Sequence, residues 1–246
     1  TGWNYEIFND TAARYKFTNG TGELVDAITQ DGGFDVELNT SIASVQQSEA
    51  GVVVTSTNGE VVQAKRAVVT VPLNLLNSVS FDPPLSAAKQ EASTLKHVGG
   101  GYKVFFEVEG DPGAVMTLSR STDSPLIGSF TYKRGEQHSV LAGFSLEPGA
   151  LDKSVDDWQV VLEEFLPGVK LLSTFGHDWG DDALSQGSWC TYRPGTIARF
   201  ANALPQQEGN LVFASGDHAQ AWRGFIEGAI ASGSSAALGI AKSLQG

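Results

Sequence analysis

The C-terminal part of the chain carries a strand–loop–helix pattern that could bind an anionic group. The apolar run Leu211–Ala214 is typical of a short buried strand, and the loop Ser215–Asp217 follows it. A helix rich in small residues is then predicted over about 224–244, with three glycines in its interior. Because each glycine costs a helix interior about 1 kcal/mol, this composition indicates close approach to another backbone or to a ligand. The N–H groups at such a helix start can receive an anion.

Lys103 is the other residue whose placement suggests chemistry, because it lies in the predicted strand 102–108. A lysine that faces inward from a strand is costly unless it has a partner. The remaining reactive residues form no familiar pattern: the four histidines lack ligand spacing, Cys190 is the single cysteine, and G-x-S-x-G is absent. A hydrolase is therefore not supported, and no metal site is predicted.

Composition narrows the class of protein further. The 246 residues suffice for one large domain or two modest ones. The net charge of −12 argues against a nucleic-acid partner, and no apolar run is long enough to span a membrane. A single cysteine favours a cytoplasmic protein over a disulfide-rich secreted one, although the compartment stays open. Since the chain starts at Thr1, we expect a processed product or a piece of something longer.

The first part of the chain, residues 16–72, is predicted to be rich in β-structure. A short amphipathic helix is expected to end at Gly32-Gly33, and apolar residues then alternate over 34–38 as in a strand. Asn58-Gly59 between two apolar runs predicts a hairpin. The run Ala67–Val71 is apolar on both faces, which is typical of a parallel strand buried on both sides.

The middle of the chain mixes both kinds of element. Helices are predicted near 87–95 and 154–166, the second opened by Ser154 with acidic residues in its first turn. Strands are predicted at 126–132 and 139–146, besides the strand that contains Lys103. The expected fold class is therefore mixed α/β.

Three blocks of sequence resemble the flavin-dependent amine oxidases, the family of monoamine, polyamine and bacterial nicotine oxidases. They occur in the family's order and run from near residue 16 to the end. The resemblance implies part of an FAD-binding, Rossmann-like domain and a substrate domain built on a mostly antiparallel mixed sheet. The blocks are Gly20–Leu24 through Leu38–Ile42, Ala67–Pro72 with Phe81–Leu85, and Gly209–Asp217 with Trp222–Gly233.

The same resemblance predicts the domain division. Residues 1–85 and 176–246 are expected to belong to the FAD-binding domain, with 1–15 as an alternative end of the substrate domain, and 86–175 to the substrate-binding domain. The family's opening G-x-G-x-x-G turn, which holds the FAD pyrophosphate, is absent. Gly99–Gly101 has the wrong spacing and leads into a strand. The chain thus resembles the C-terminal half of such an enzyme and should not hold FAD well alone.

The catalytic residues follow from the resemblance. Lys103 matches the family's lysine that hydrogen-bonds a water at flavin N5, where a fixed cation stabilises developing negative charge. Trp189 and Phe225 match the aromatic cage that sandwiches the amine in front of the flavin. Phe225 departs from the common tyrosine and keeps only the ring. The bland alternatives are a solvent-facing lysine and two core aromatics.

The cofactor-binding residues are likewise implied. Ser188 stands where monoamine oxidases carry the cysteine that binds FAD covalently, so non-covalent FAD is expected, and Cys190 is read as a small buried residue. Trp179 is expected to pack near the flavin or simply in the core. Four further residues are expected to contact FAD: Gly216 and Ile226 through backbone N–H groups to phosphate and flavin O2, Asp217 through the ribityl hydroxyls, and Ile42 through its backbone at the adenosine end.

The expected reaction is oxidation of an amine C–N bond to an imine, which is then hydrolysed. O₂ is the expected acceptor and gives H₂O₂, with a cytochrome as the alternative. The expected partners are a small amine, a companion chain that carries the dinucleotide-binding half, and a second copy of that assembly. An L-amino-acid oxidase is one rival, for which Arg193, Arg199 and Arg223 are available as carboxylate clamps. A non-catalytic scaffold is the other.

Overall fold

Two compact units make up this computed structural model, which describes residues 15–121 and 123–245. They are Thr1–Ser41 and Ile42–Gly246. In the first unit, helix α1 spans Gly22–Gly32 and ends at Gly33, which adopts a left-handed conformation with a φ of 58°. The predicted helix is therefore confirmed. The strand expected over 34–38 is wrong: this segment forms no strand, and its alternating apolar side chains are exposed.

The second unit begins with a four-stranded sheet in the order β3-β2-β1-β5. Its strands are β1 (Ile42–Ser48), β2 (Gly51–Ser56), β3 (Val61–Ala64) and β5 (Ser80–Asp82). Strands β1, β2 and β3 pair antiparallel, whereas β5 runs parallel to β1. The hairpin predicted at Asn58-Gly59 joins β2 to β3, and Gly59 takes the positive φ that its turn requires.

A separate parallel pair joins distant parts of the sequence. Strand β4 (Ala67–Val69) pairs with β11 (Leu211–Phe213), which confirms the parallel pairing expected for β4. The expected burial on both sides is wrong in this chain, because Val68 is 42% exposed while Val69 is buried. One face of this pair is therefore open.

The largest sheet contains five antiparallel strands in the order β10-β6-β9-β8-β7. The strands are β6 (Tyr102–Glu109), β7 (Met116–Leu118), β8 (Gly128–Lys133), β9 (His138–Ser145) and β10 (Leu171–Gly176). Helix α3 (Val155–Phe165) covers one face. Ser154 caps this helix as predicted: its Oγ accepts from the N–H of Asp157 at 3.1 Å, and the Asp157 carboxylate accepts in return.

The core between α3 and this sheet is built around a buried tryptophan. Trp158 packs edge-on against Phe106, with ring centroids 5.1 Å apart, and both side chains are fully buried. The indole N–H donates to the carbonyl of Ala150 at 3.0 Å, so burial leaves no donor unsatisfied. Alternate residues of β6 point into this core, and the intervening residues point to the opposite face of the sheet.

The remaining helices of the second unit are α2 (Ala87–Leu95), α4 (Thr196–Phe200) and α5 (Ile226–Gln245), with a 3₁₀ helix at Leu73–Ser78. The two longer ones confirm the predicted helices. Lys89 of α2 is fully buried and donates to Glu208 at 2.8 Å and to the carbonyls of Ala203 and Gln206. Burial lowers the pKa of Lys89, and its bond to Glu208 opposes that shift. No helix in the described part of the chain is long and apolar enough to cross a membrane.

Candidate functional site

A cavity of about 330 Å³ brings together five of the residues singled out in the sequence: Lys103, Trp179, Ser188, Trp189 and Asp217. They come from β6, from the segment 179–189 and from the loop after β11, so the fold rather than the sequence makes them neighbours. The other lining residues are Pro72, His97, Gly101, Ser185 and Gly187.

Backbone pairing fixes the segment that carries Ser188 and Trp189. The N–H and the hydroxyl of Ser188 both donate to the carbonyl of Gly99, at 2.8 and 3.0 Å. The N–H of Val98 donates to the carbonyl of Thr191 at 2.7 Å. The segment therefore lies alongside the residues that lead into β6, which also carries Lys103.

The glycines of this lead-in segment are what the indole of Trp189 requires. A Cβ built on Gly101 would lie 1.9 Å from Cζ3 of Trp189, and one on Gly99 would lie 1.8 Å from its carbonyl oxygen. A side chain at either position would clash with Trp189. Gly99 and Gly101 are thus explained by the packing of Trp189, a contact that the sequence alone did not indicate.

Lys103 lies on the face of the five-stranded sheet opposite the core. Its neighbour Val104 is buried, whereas Lys103 is exposed in this chain, on the side of the sheet that borders the cavity. Its Nζ stands 5.7 Å from the ring centroid of Phe144, its cross-strand partner. Among residues 15–121 and 123–245, Lys103 forms no ion pair within 4.0 Å, which leaves its charge available to the cavity.

Aromatic rings surround Lys103 on the same face of the sheet, and we call this set the aromatic face. Phe105 stacks on Phe175 with centroids 5.0 Å apart, and Phe144 contacts Trp189 at 5.7 Å. The aromatic face consists of Phe105, Phe130, Tyr132, Phe144 and Phe175. Sequence reasoning missed it, although Phe130 and Tyr132 lie two residues apart along β8 and therefore on one face. The rings form an apolar wall beside the cavity.

His97 is a cavity residue that sequence reasoning also missed. It is 7% exposed, and its backbone N–H donates to Oδ1 of Asn74 at 2.9 Å. Its buried Nδ1 has no hydrogen-bond partner in the described part of the chain. Burial lowers the pKa of His97, and the nearby Asp217 carboxylate opposes that shift. A buried polar atom without a partner calls for an explanation such as a bound molecule.

Asp217 combines its place in the cavity with a structural contact. Its carboxylate accepts a hydrogen bond from the N–H of Leu73 at 2.8 Å, at the start of the 3₁₀ helix. A negative charge there satisfies an N–H group that has no partner within the helix. The guanidinium of Arg223 donates to the backbone carbonyl of Asp217. One carboxylate oxygen of Asp217 is thus already engaged within the protein.

The predicted residues near the start of α5 lie next to the cavity rather than in its lining. The N–H of Gly224 donates to the carbonyl of Gly216 at 2.9 Å, and a Cβ on Gly224 would lie 2.7 Å from that of Cys190. Phe225 therefore follows Gly224, which packs against Cys190, the residue after Trp189. Ile226 is the first residue of α5.

Ile42 is not brought to the cavity. It begins β1 in the four-stranded sheet and is 37% exposed.

Cys190 has the character of a packing residue. Burial raises the pKa of its thiol to about 12, and the thiol lies 3.3 Å from the hydroxyl of Tyr192. A thiol of this kind is a poor nucleophile at neutral pH. The described residues also contain no cluster of three or more side chains suited to a metal ion.

Comparison with known proteins identifies the family. The family model for flavin-containing amine oxidoreductases matches residues 2–241. The chain is 38% identical to pseudooxynicotine dehydrogenase of a Pseudomonas species, over 99% of this chain and 50% of the relative. It is 30% identical to nicotine dehydrogenase of Pseudomonas putida, over 94% of this chain and 48% of the relative. The chain therefore belongs to the flavin-containing amine oxidoreductases and spans about half the length of these relatives.

A solved structure supports the fold. Putrescine oxidase with bound putrescine superposes with a TM-score of 0.79 at 20% identity, over 91% of this chain and 53% of that one. The mixed α/β fold expected from the sequence is confirmed.

The cavity fits the flavin that this family implies. The indoles of Trp179 and Trp189 line the cavity and offer apolar contacts to a flat ring. Nδ1 of His97 is an orphaned polar atom beside that space, and the flavin ring carries carbonyl oxygens and ring nitrogens that can pair with it. The cation of Lys103 completes a donor set suited to an electron-accepting ring.

Proposed function

We propose that this chain supplies the C-terminal half of an FAD-dependent amine oxidase. The reaction is oxidation of an amine C–N bond to an imine, which water hydrolyses to a carbonyl compound and ammonia or a smaller amine. O₂ takes up the electrons and is reduced to H₂O₂. The observation that carries this proposal is the convergence of Lys103, Trp189 and Asp217 on one cavity from three separate segments.

Lys103 is the residue proposed to serve the redox step. Bound FAD would accept a hydride equivalent from the amine. An ammonium group held beside the cavity stabilises negative charge that develops nearby. The 5.7 Å distance from Nζ to the Phe144 ring and the place of Lys103 in the cavity support this role.

Trp189 and Phe225 are proposed to orient the amine. Two aromatic faces attract a cationic amine during binding and restrict its direction of approach. The indole of Trp189 packs directly against Gly101, where any side chain would clash with it. This contact fixes the position of the indole. The aromatic face would continue this apolar wall, and the net charge of −12 adds weak steering of cations.

FAD is proposed to bind non-covalently. The hydroxyl of Ser188 already donates to Gly99, and the raised pKa of Cys190 keeps its thiol protonated. Neither side chain is thus prepared to form a bond to carbon. Gly216 and Ile226 remain proposed backbone donors to FAD. The carboxylate of Asp217 remains the proposed contact to the ribityl hydroxyls. Ile42 would meet only the distant adenosine end.

The domain division is proposed along the same lines. Residues 86–175, which include most of the five-stranded sheet, would form the substrate domain, and 1–85 with 176–246 would form part of the FAD-binding domain. The length of the relatives supports a second polypeptide or segment, which we call the complementary half, as the source of the remaining FAD contacts. A second copy of this assembly is the remaining proposed partner.

Two arginines bear on the rival L-amino-acid oxidase. Arg199 pairs with Glu91 at 2.7 Å, and Arg223 donates to the carbonyls of Asp217 and Ala201. Because both guanidinium groups are engaged, neither is a ready clamp for a substrate carboxylate. Arg193, the third candidate, keeps the L-amino-acid oxidase as the alternative function.

The test uses the chain together with the complementary half and compares Lys103→Met with Lys133→Met, an exposed lysine of β8. We expect a yellow protein whose flavin bleaches when an amine is added without oxygen and recovers on aeration with release of H₂O₂. We expect Lys103→Met to slow either flavin reduction or flavin reoxidation about 100-fold. We expect Lys133→Met to leave both rates unchanged. A colourless protein, or a flavin that no amine reduces, would contradict the proposal.

A further inference from the structure

One buried side-chain amide joins three of the segments that surround the cavity. Asn74 lies in the 3₁₀ helix Leu73–Ser78 and is 5% exposed. Its Oδ1 accepts from the N–H of His97 at 2.9 Å, and its Nδ2 donates to the carbonyl of Gln186 at 2.7 Å. Nδ2 also donates to the carbonyl of His97 at 3.4 Å. The amide therefore uses its acceptor and its donors on the backbone of two segments that are distant in sequence.

These two segments carry side chains to which the proposed function assigns roles. His97 lies in the lead-in to β6, and β6 carries Lys103. Gln186 belongs to the segment that carries Trp179 and Trp189. A shift of one segment against the other would change where the lysine cation stands relative to the two indoles. The bonds of the amide oppose such a shift.

Close packing at the same junction adds to these bonds. A Cβ built on Gly187 would lie 2.4 Å from Cε1 of His97 and 2.6 Å from Nδ2 of Asn74. The N–H of Gly187 donates to the carbonyl of Trp179 at 2.9 Å. Without the amide, the buried N–H of His97 would lose the partner it has here, and an unpaired buried group favours rearrangement.

Asn77 of the same 3₁₀ helix shows what a purely structural amide looks like. Its Nδ2 donates to the carbonyl of Gln90 and to the hydroxyl of Thr94, both at 3.0 Å. Both partners belong to α2, and neither is among the described residues that line the cavity. Asn77 thus makes comparable bonds without touching the two segments that Asn74 joins.

We propose that Asn74 is a positioning residue for the amine oxidation. Its amide fixes the lead-in to Lys103 against the segment that carries Trp179 and Trp189. Asn74 is not among the described residues that line the cavity, so it acts through these neighbours and not on the reacting molecule. His97, which does line the cavity, is held by the same amide. The inference rests on the proposed function, because that function assigns Lys103 and Trp189 their roles.

The test compares Asn74→Ala with Asn77→Ala in the chain combined with the complementary half. Stopped-flow absorbance measures flavin reduction by saturating amine without oxygen, and hydrogen exchange measures the amides of Gly187 and Ser188. We expect Asn74→Ala to slow reduction about tenfold, because misplaced groups act in the bound complex. It should speed exchange at these two amides about fivefold, because the segment loses an anchor. Asn77→Ala should leave both rates close to those of the parent.

Gly187→Ala disturbs the same junction independently and should reproduce both changes, so it decides the test if Asn74→Ala does not fold. Equal effects of the two asparagine variants on reduction, or unchanged exchange in Asn74→Ala, would overturn the positioning role. If no amine reduces the flavin of the parent, the proposed function is refuted. The exchange rates then decide by themselves whether Asn74 holds the junction.

Discussion

The indole of Trp189 rests against the backbone of Gly101, where an added Cβ would lie 1.9 Å from Cζ3. The centroid of the same ring system lies 5.7 Å from that of Phe144, and Phe144 is the cross-strand neighbour of Lys103. A glycine in the lead-in to β6 thus determines where the cavity's aromatic wall stands relative to its cation.

Gly101→Ala tests this relationship. The methyl group would push the indole out of its seat, so we expect kcat/KM for the amine to fall at least tenfold, by analogy with other misplaced substrate-positioning groups. Steady-state kinetics with tryptophan fluorescence would measure both effects. Gly100→Ala is the matched control, because a Cβ there meets nothing within 4 Å. Equal losses of kcat/KM in the two variants would show that reduced chain flexibility, and not displacement of the Trp189 indole, is responsible.

Asp217→Ala tests the carboxylate that accepts from the N–H of Leu73. Loss of a hydrogen bond to a charged group costs about 1.5–3 kcal/mol, and we expect the free energy of unfolding to fall by that amount in urea titrations. Asp217→Asn keeps one accepting oxygen and should recover about half of the loss. If both variants unfold like the parent, water replaces the carboxylate at the helix start.

Lys89→Met tests the buried cation that joins α2 to the segment before β11. The substitution leaves Glu208 and the carbonyls of Ala203 and Gln206 without their donor, and breaking such a buried pair costs about 3–5 kcal/mol. Thermal and urea unfolding would measure the loss. Arg134→Met removes the exposed pair with Asp111, which solvent screens, and should cost far less. A loss for Lys89→Met no larger than that control would contradict the prediction.

Local signals in the sequence predicted most helices and strands because a few adjacent residues determine them. The capping of α3 by Ser154 and the hairpin at Asn58-Gly59 are examples. Exposure was predicted less well: Val68 and the apolar residues of 34–38 have the composition of buried positions and yet are exposed here. An apolar residue type indicates that a side chain can be buried. It does not indicate whether the residue that buries it belongs to the described part of this chain.

In the candidate site, too, the sequence identified individual residues but not their contacts with distant segments. Resemblance to a family identified Lys103 and Trp189, which lie together in the cavity. The residues that hold them or complete the walls, such as Gly101 and His97, depend on contacts with segments about ninety residues away in sequence. Lys89 is similar, because its partner Glu208 lies in another segment. Neither spacing nor hydrophobic pattern encodes such contacts.

Stability of the protein should fall as the pH drops below about 6.5, because burial lowers the pKa of both His218 and His97 in the native state. The unfolded chain, with histidine pKa values near 6.5, then binds protons that the native state does not. The contribution of the two neutral histidines to stability is thus fully present above pH 6.5. Below that pH the free energy of unfolding decreases by up to about 1.4 kcal/mol per pH unit for each histidine. Urea midpoints between pH 7.5 and 5 would show the slope, and His218→Leu should reduce it by about one proton. Leu211→Ala, a buried change without a titrating group, should lower stability and keep the slope; a parent protein equally stable at both pH values would refute the prediction.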